Sequence, residues 1–381
     1  MDKRYGWTGK IAFINLSEGK IDTVPTDEYS KLFLGGLGIG QKIYWDESSP
    51  ENDAFHRDNP LIFMTGPLTA TQAPSAPRMS VCGKSPCIYP ETFVTANLGG
   101  FFPAEIKKAG YDGLVVKGRA DNPVYLLIKD NEITIKSAKH LWGQTNSETH
   151  DNIRNETDKK AKILSIGPGA ENLTRIGIIY TDVAGSASMG FGSVMGSKNL
   201  KAIAAIGSDT IHVADGESIK SIRKEYRKMT GGDFFNLFGT PHPRPDVEVV
   251  KRKHCHGCPQ GCWRSYQKLT TGEENIHKCQ TSMFYSYWDR KLHGSLTEAS
   301  FLASKIANDY SICIMDLAFL LLWIERCTAK GILTEKDIEL PISKMGSIEF
   351  IEEIIKKISY KEGFGKILAQ GTIRASENLG K

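Results

Sequence analysis

Apolar and polar positions follow two different rhythms along this chain. Residues 10–16 alternate partly between apolar and polar, break at the turn signal Ser17-Glu18-Gly19, and resume over 21–24. Residues 123–128 and 132–136 flank Lys129-Asp130-Asn131 as a further hairpin, while 163–166 and 203–206 read as short buried strands. Glycine-rich turns fall between them at 34–40, 97–100, 167–169 and 189–192, and two helices fit 103–109 and 147–156. After about Gly207 the period changes: apolar residues recur at helical spacing over 216–229 and 297–330, and 347–358 and 365–379 read as further helices. The pattern predicts an α+β protein, with a β-rich domain over 1–209 and a mainly helical one over 210–381.

Composition narrows the function classes. The chain has 381 residues, 40% hydrophobic and 24% charged, enough for two domains and a core that needs no disulfides. The net charge of +4 is spread along the chain without a basic run, which argues against nucleic acid but suits an acidic partner or a phosphate-bearing cofactor. The most apolar stretch, 316–325, is too short to span a bilayer. The first residues lack the apolar core of a secretory signal, so a cytoplasmic protein is expected.

Three of the eight cysteines crowd into His254-Cys255-His256-Gly257-Cys258-Pro259-Gln260-Gly261-Cys262. Loops of two and three residues let three thiolates converge on one centre, and Gly257 and Gly261 let the backbone wrap closely with amides aimed at sulfur. A [4Fe–4S] cluster needs a fourth ligand, whereas a structural zinc site would take the three cysteines plus His254 or His256. Spacing leaves both open, with the three-residue second gap favouring the cluster.

Several segments, in order and spaced along nearly the whole chain, resemble the aldehyde ferredoxin oxidoreductase family: Tyr5 to Lys10, Thr65 to Thr69, Ala76-Pro77-Arg78, Lys84-Ser85-Pro86, Ala96-Asn97-Leu98-Gly99-Gly100, Ala109 to Asp112, Ser165 to Pro168, Met195 to Ala202 and Cys258 to Cys262. The resemblance implies a tungsten (or molybdenum) ion between two pterin dithiolenes, Mg2+ bridging the pterin phosphates, and one [4Fe–4S] cluster, held by Cys255, Cys258 and Cys262, that passes electrons to ferredoxin. It also implies a β-rich base under the pterins. By the same resemblance Arg78 neutralises a pterin phosphate, a task suited to a planar guanidinium. The Asn97 carbonyl holds the bridging Mg2+, and Gly99 and Gly100 bring backbone amides to the ligand. The second magnesium position falls near Gly185, in a loop where typical members carry arginines and this chain has none. Residues 308–314 depart from the family's pterin-binding pattern. Asn308 replaces an aspartate and Ser311 a glycine, while Cys313 fits; a buried structural cysteine is the competing reading.

Proton transfer beside the metal would need a carboxylate or histidine. Glu274, His277 and Cys279 follow the cysteine cluster and are the catalytic candidates. Cys279 resembles the metal-binding cysteine of a divergent branch containing the tungsten subunit of class II benzoyl-CoA reductase. Family chains are longer, and the resemblance places the fourth cluster cysteine and part of the second-pterin pocket in a third domain beyond Lys381. A separate chain supplying that part, a split or decayed gene, and a reduced enzyme working with fewer parts would each account for this, with a fragment or a subunit favoured; an oligomer is also expected. Three functions compete: an aldehyde oxidoreductase (sub)unit or fragment using ferredoxin, the active-site subunit of an aromatic acyl-CoA reductase, and a non-catalytic or zinc-stabilised remnant.

Overall fold

The computed structural model describes residues 4–229, 246–259, 264–277 and 283–380. Cys262 and Cys279 lie outside the described residues. The first half is built on two six-stranded sheets. The first has the order β2-β1-β6-β3-β4-β5, from β1 (Lys10–Asn15), β2 (Lys20–Pro25), β3 (Leu61–Met64), β4 (Met79–Ser85), β5 (Thr92–Leu98) and β6 (Gly113–Lys117). All its neighbours pair antiparallel except β1 with β6. The second has the order β11-β10-β9-β12-β7-β8, from β7 (Val124–Lys129), β8 (Glu132–Ser137), β9 (Lys162–Ser165), β10 (Ile179–Thr181), β11 (Gly185–Ala187) and β12 (Leu200–Ile206).

One apolar core lies between the sheets, drawing Ile14, Phe63 and Val81 from the first and Leu126, Leu164 and Ile203 from the second. Helix α1 (Leu37–Glu47) covers the outer face of the first sheet through Ile39 and Ile43. Its approach is close: a Cβ on Gly40 would sit 2.6 Å from the Cys82 sulfur. Helix α2 (Phe102–Lys108) feeds Phe102 and Ile106 into the shared core. On the outer face of the second sheet lies α3 (Asn146–Glu156), started by a capping box in which Thr145 and Glu148 satisfy each other's backbone amides.

The second half is mainly helical, with α4 (Gly216–Met229), α5 (Ser286–His293), α6 (Glu298–Asp309), α7 (Ile314–Ala329) and α8 (Ile348–Tyr360). Its core joins Leu317, Ile324, Ile354 and Ile358 to Ile176 and Ile178 of the first half. Helical spacing over 297–330 predicts continuous helix, but the chain breaks between α6 and α7, where Ser311 takes a left-handed conformation (φ 60°) and Ile312 forms an isolated bridge with Gly177. The 365–379 stretch is likewise two short helices, Gly365–Leu368 and Thr372–Asn378. A three-stranded antiparallel sheet, β13 (Val247–Arg252), β14 (Ser265–Leu269) and β15 (Glu274–His277), stands in the half expected to be helical and flanks the cysteine segment. Among the described residues no helix is long and apolar enough to cross a membrane.

Candidate functional site

The site grows from the end of β5. Asn97 pairs with Ser80 across the β4–β5 ladder, and the chain then turns through Gly99 and Gly100 into α2. Gly100 is left-handed (φ 99°), a conformation that favours glycine. Gly185, the first residue of β11, packs directly on this turn: a Cβ there would sit 2.8 Å from the Gly99 carbonyl oxygen and 2.7 Å from Thr181 Cγ2. Asp182 braces the lip from below, accepting from Thr181 Oγ1 at 3.0 Å and from the Phe101 amide at 3.4 Å. Burial pushes its carboxyl up, against those hydrogen bonds and the charges of Lys162 and Arg154.

Cys255 meets the same lip. Its sulfur accepts the Gly100 amide at 3.3 Å and the Arg264 guanidinium at 2.6 Å, and a Cβ on Gly99 would come within 3.3 Å of it. The segment is tied down by His256, whose amide donates to the Gly100 carbonyl at 3.0 Å, and by a turn in which the Cys258 amide donates to the Cys255 carbonyl at 3.1 Å. Gly257 turns through φ 67° between them. Cys258 Sγ lies 3.9 Å from Ser75 Oγ.

On the other side of Asn97 opens a cleft of about 250 Å3, lined by Leu34, Gly35, Gly36, Gly66, Arg78 and Asn97 among others. Gly35 and Gly36 carry φ 139° and 50° and lead directly into α1, so a helix N-terminus with its amides lies at this cleft. Buried Lys107 fixes the opposite wall, donating to the Gly66 carbonyl at 3.0 Å and to the Gly6 carbonyl, with Asp112 at 3.8 Å. Burial pushes its amine down to about 8, against the pull of Asp112. A second, larger cleft of about 630 Å3 lies beside the cysteine segment, lined by Thr71, Gln72, Arg223, Arg227, His256 and Gly257 among others. Arg223 is anchored there on the Gln72 carbonyl at 3.0 Å, and Ser75 Oγ donates to Tyr226 of the same helix at 3.0 Å. Burial, Lys108 and Arg223 hold the His256 imidazole below its usual range.

Asn97, Gly99, Gly100, Gly185 and Cys255 therefore converge, with Arg78 on the adjoining cleft. Asn308 and Cys313 sit elsewhere. The Asn308 carbonyl accepts from Asn146 at 2.7 Å, and Cys313 lies in the helical core beside Asp316, which also stands 3.9 Å from the Cys87 sulfur. Burial, reinforced by Asp316, pushes the Cys313 thiol far up. His277 is buried and stacks on Phe301 at 4.6 Å between ring centres, while Glu274, on the exposed side of β15, pairs with Tyr266 and Lys268. Among the described residues lining either cleft, none of these four appears. The sequence reading missed Arg264 and Lys107. Arg264 stands two residues past the cysteine motif, but only the β13–β14 ladder turns it back onto Cys255.

These donors fit the groups that the family resemblance implies. Arg78 and the N-terminus of α1 line a cleft where anionic oxygens would lie, and Cys255 receives the hydrogen bonds that an iron–sulfur thiolate takes. Among the described residues no group of three or more His, Cys, Asp or Glu side chains is gathered to hold a bare metal ion.

Comparison with known proteins identifies the family. Residues 11–207 match the N-terminal domain of aldehyde ferredoxin oxidoreductase, and residues 238–381 match domains 2 and 3 of the same family. The tungsten-containing aldehyde ferredoxin oxidoreductase of Pyrococcus furiosus is 33% identical over 99% of this chain and 68% of its own length. The WOR-like subunit of aliphatic sulfonate oxidoreductase from the same organism is 28% identical over 98% of the chain and 67% of its own length. A solved chain from the active site complex BamBC of benzoyl coenzyme A reductase, in complex with 1,5 dienoyl-CoA, superposes with a TM-score of 0.86 at 25% identity. That match covers 99% of this chain and 64% of the solved one, so the chain spans about two thirds of the proteins it matches.

Proposed function

This chain belongs to the aldehyde ferredoxin oxidoreductase family, and we propose that it forms the larger part of an enzyme oxidising aldehydes to carboxylic acids on a tungsten bis-pterin centre. The observation that carries this reading is that the turn after Asn97 meets the Cys255 sulfur through Gly99 and Gly100, with Gly185 packed on the same turn. On this reading, backbone groups that would hold Mg2+ and the first thiolate of a [4Fe–4S] cluster would stand in one place. Bound there, a metallopterin would supply two-electron redox chemistry and a cluster held by Cys255 one-electron transfer. Arg78 and the α1 N-terminus would hold pterin phosphate, Lys107 would keep the Gly66 wall in position, and Cys258 and Cys262 would complete three cluster ligands. We divide the chain at residues 1–209 and 210–381, with the remaining third of the family length supplying the fourth ligand, in this polypeptide or a partner.

The basic cleft supports ferredoxin as electron acceptor. Helix α4 presents Lys220, Arg223, Lys224, Arg227 and Lys228 against only Glu217 and Glu225, beside the loop that reaches Cys258. An acidic carrier docked there would sit next to the cluster. The free cysteines, including Cys82, Cys87 and Cys327, suit the reducing cytoplasm.

A second reading is favoured by the BamBC match and by the position of Cys279: the active-site subunit of an aromatic acyl-CoA reductase. Anaerobic production together with the remaining third of the family length, followed by metal analysis, tests both readings. Tungsten with about four irons per chain is expected. Zinc alone, or colourless protein, overturns them in favour of a zinc-stabilised remnant. Viologen-linked turnover of small aldehydes supports the first reading, and turnover of an aromatic acyl-CoA without it supports the second.

A further inference from the structure

Arg264 is the least explained charge near the site. It is 8% exposed, directly precedes β14, and is fixed in place because its carbonyl accepts the Lys253 amide at 2.9 Å. That ladder contact sets the start of the cysteine segment opposite Arg264, and the side chain folds back until Nη1 lies 2.6 Å from Cys255 Sγ. Its Nε is buried without a hydrogen-bond partner among the described residues, and none of their carboxylates forms an ion pair with it. A buried guanidinium without a counter-ion is costly, and proteins keep such a charge where another group supplies the compensating one. Here the group it touches is a sulfur.

We propose that Arg264 sets the reduction potential of the iron–sulfur cluster by placing a buried positive charge on the Cys255 ligand. The proposal rests on the cluster reading above. Each electron added to a thiolate-ligated cluster makes it more negative, so a fixed cation in a poorly screened interior stabilises the reduced form and raises the potential. The Gly100 amide acts on the same sulfur in the same direction, but it is a dipole, and the guanidinium is a full charge. Arg264 is thus a positioning and tuning residue, not one that touches substrate.

The test is a redox titration of the complete, iron-loaded protein followed by EPR, with iron content measured on every sample. Wild-type protein without iron would refute the cluster reading itself, independently of Arg264. Arg264→Gln removes the charge while keeping a donor. With iron retained, its midpoint should fall so that the oxidised-to-reduced ratio at a fixed potential rises about tenfold, equivalent to about 59 mV for a one-electron couple. Arg264→Lys keeps the charge and should stay near the wild-type midpoint. An Arg264→Gln protein with full iron and an unmoved midpoint overturns the proposal. If Arg264→Gln fails to hold iron, Arg264→Lys decides. Full iron at a near-native midpoint supports the charge role, and loss of iron from the lysine variant too means that the guanidinium only packs.

Discussion

The lip at Gly99–Gly100 and the seam at Asn308–Cys313 both stand where the family resemblance puts pterin contacts, yet they are built in opposite ways. At the lip, three glycines let the chain pack closely on itself and on the Cys255 sulfur, beside a cleft that Asn97 and Arg78 line. At the seam, polar groups face one another. Asn146 Nδ2 donates to the Asn308 carbonyl and to Ser311 Oγ at 2.8 Å, Ser311 Oγ also accepts the Gly167 amide at 2.8 Å, and the Cys313 amide donates to the Ile176 carbonyl at 3.0 Å. The lip borders an open cleft, whereas the seam closes on itself and joins the two halves of the chain. Similar motif residues can therefore stand at a cleft in one place and in the interior in another, and the difference lies in what the rest of the chain packs against them.

The sharpest way to break this comparison is at the seam. Asn146→Ala would remove one hydrogen bond each from the Asn308 carbonyl, which keeps the Ser311 amide, and from Ser311 Oγ, which keeps the Gly167 amide, and would take away the acceptor that Ser165 Oγ reaches at 2.6 Å. A buried hydroxyl left without its acceptor costs about 1–3 kcal/mol and each lost hydrogen bond about 1 kcal/mol, so a loss of roughly 3 kcal/mol in urea unfolding is expected. A loss below about 1 kcal/mol would mean that the seam is not the cohesive element described. One turn further along α3, His150 is buried and stacked on Tyr180, and burial, with Arg154 and Lys201 nearby, pushes its pKa down to about 3. The unfolded chain takes up its proton below about 6.5, while the folded protein refuses it until near pH 3. Stability contributed by neutral His150 is therefore present above pH 6.5 and is lost as pH falls. The loss should be roughly 2 kcal/mol between pH 7 and 5, and it should vanish from the pH profile in His150→Phe.

Much of this arrangement was legible in the sequence, for identifiable reasons. The β1–β2 and β7–β8 hairpins announce themselves through Ser17 to Gly19 and Lys129 to Asn131, and α4 follows its helical period from Gly216 to Met229. Cys255 stands out through the close spacing of three cysteines, whereas Asn97, Gly99 and Gly100 are singled out only by the resemblance of Ala96 to Gly100 to the family. Strand β3 carries no such mark, since four buried apolar residues in a row fit helix or strand equally, and β4 mixes Ser80, Gly83 and Lys84 into its buried face. The break at Ser311 was invisible because a left-handed residue is normally announced by glycine or asparagine, and here a hydroxyl held by Asn146 does that work. Arg264 could not be assigned to Cys255 without the ladder that folds it back.

At the lip, a smaller perturbation should separate binding from stability. Gly185→Ala places a methyl 2.8 Å from the Gly99 carbonyl oxygen, so the turn must shift by a few tenths of an ångström. Overpacking of this size costs about 1–2 kcal/mol, less than the seam variant, while tungsten content should fall severalfold. Metal analysis alongside thermal unfolding checks both. Wild-type tungsten content in a measurably destabilised variant would remove the lip from the cofactor site.

The smallest expected effect runs the other way, toward greater stability. Thr181 and Gly185 pair across β10 and β11, and the Gly185 amide donates to the Asp182 carbonyl at 3.1 Å, which leaves Val183 and Ala184 as the two central residues of the turn. Both are left-handed, with φ 48° and 54°, in the three-residue loop, Asp182 to Ala184, that the paired Thr181 and Gly185 flank. Valine is a poor choice there, because a β-branched side chain crowds the backbone at positive φ, at a cost of about 1–2 kcal/mol. Asparagine tolerates the conformation, so Val183→Asn should raise stability by about 1 kcal/mol, read as an upward shift in the urea midpoint at constant m-value. Because the turn only carries the lip, tungsten content should not change. A variant that gains stability but loses tungsten would show that the strained valine itself shapes the site. A variant that loses stability would show that packing of the half-buried valine outweighs the backbone cost.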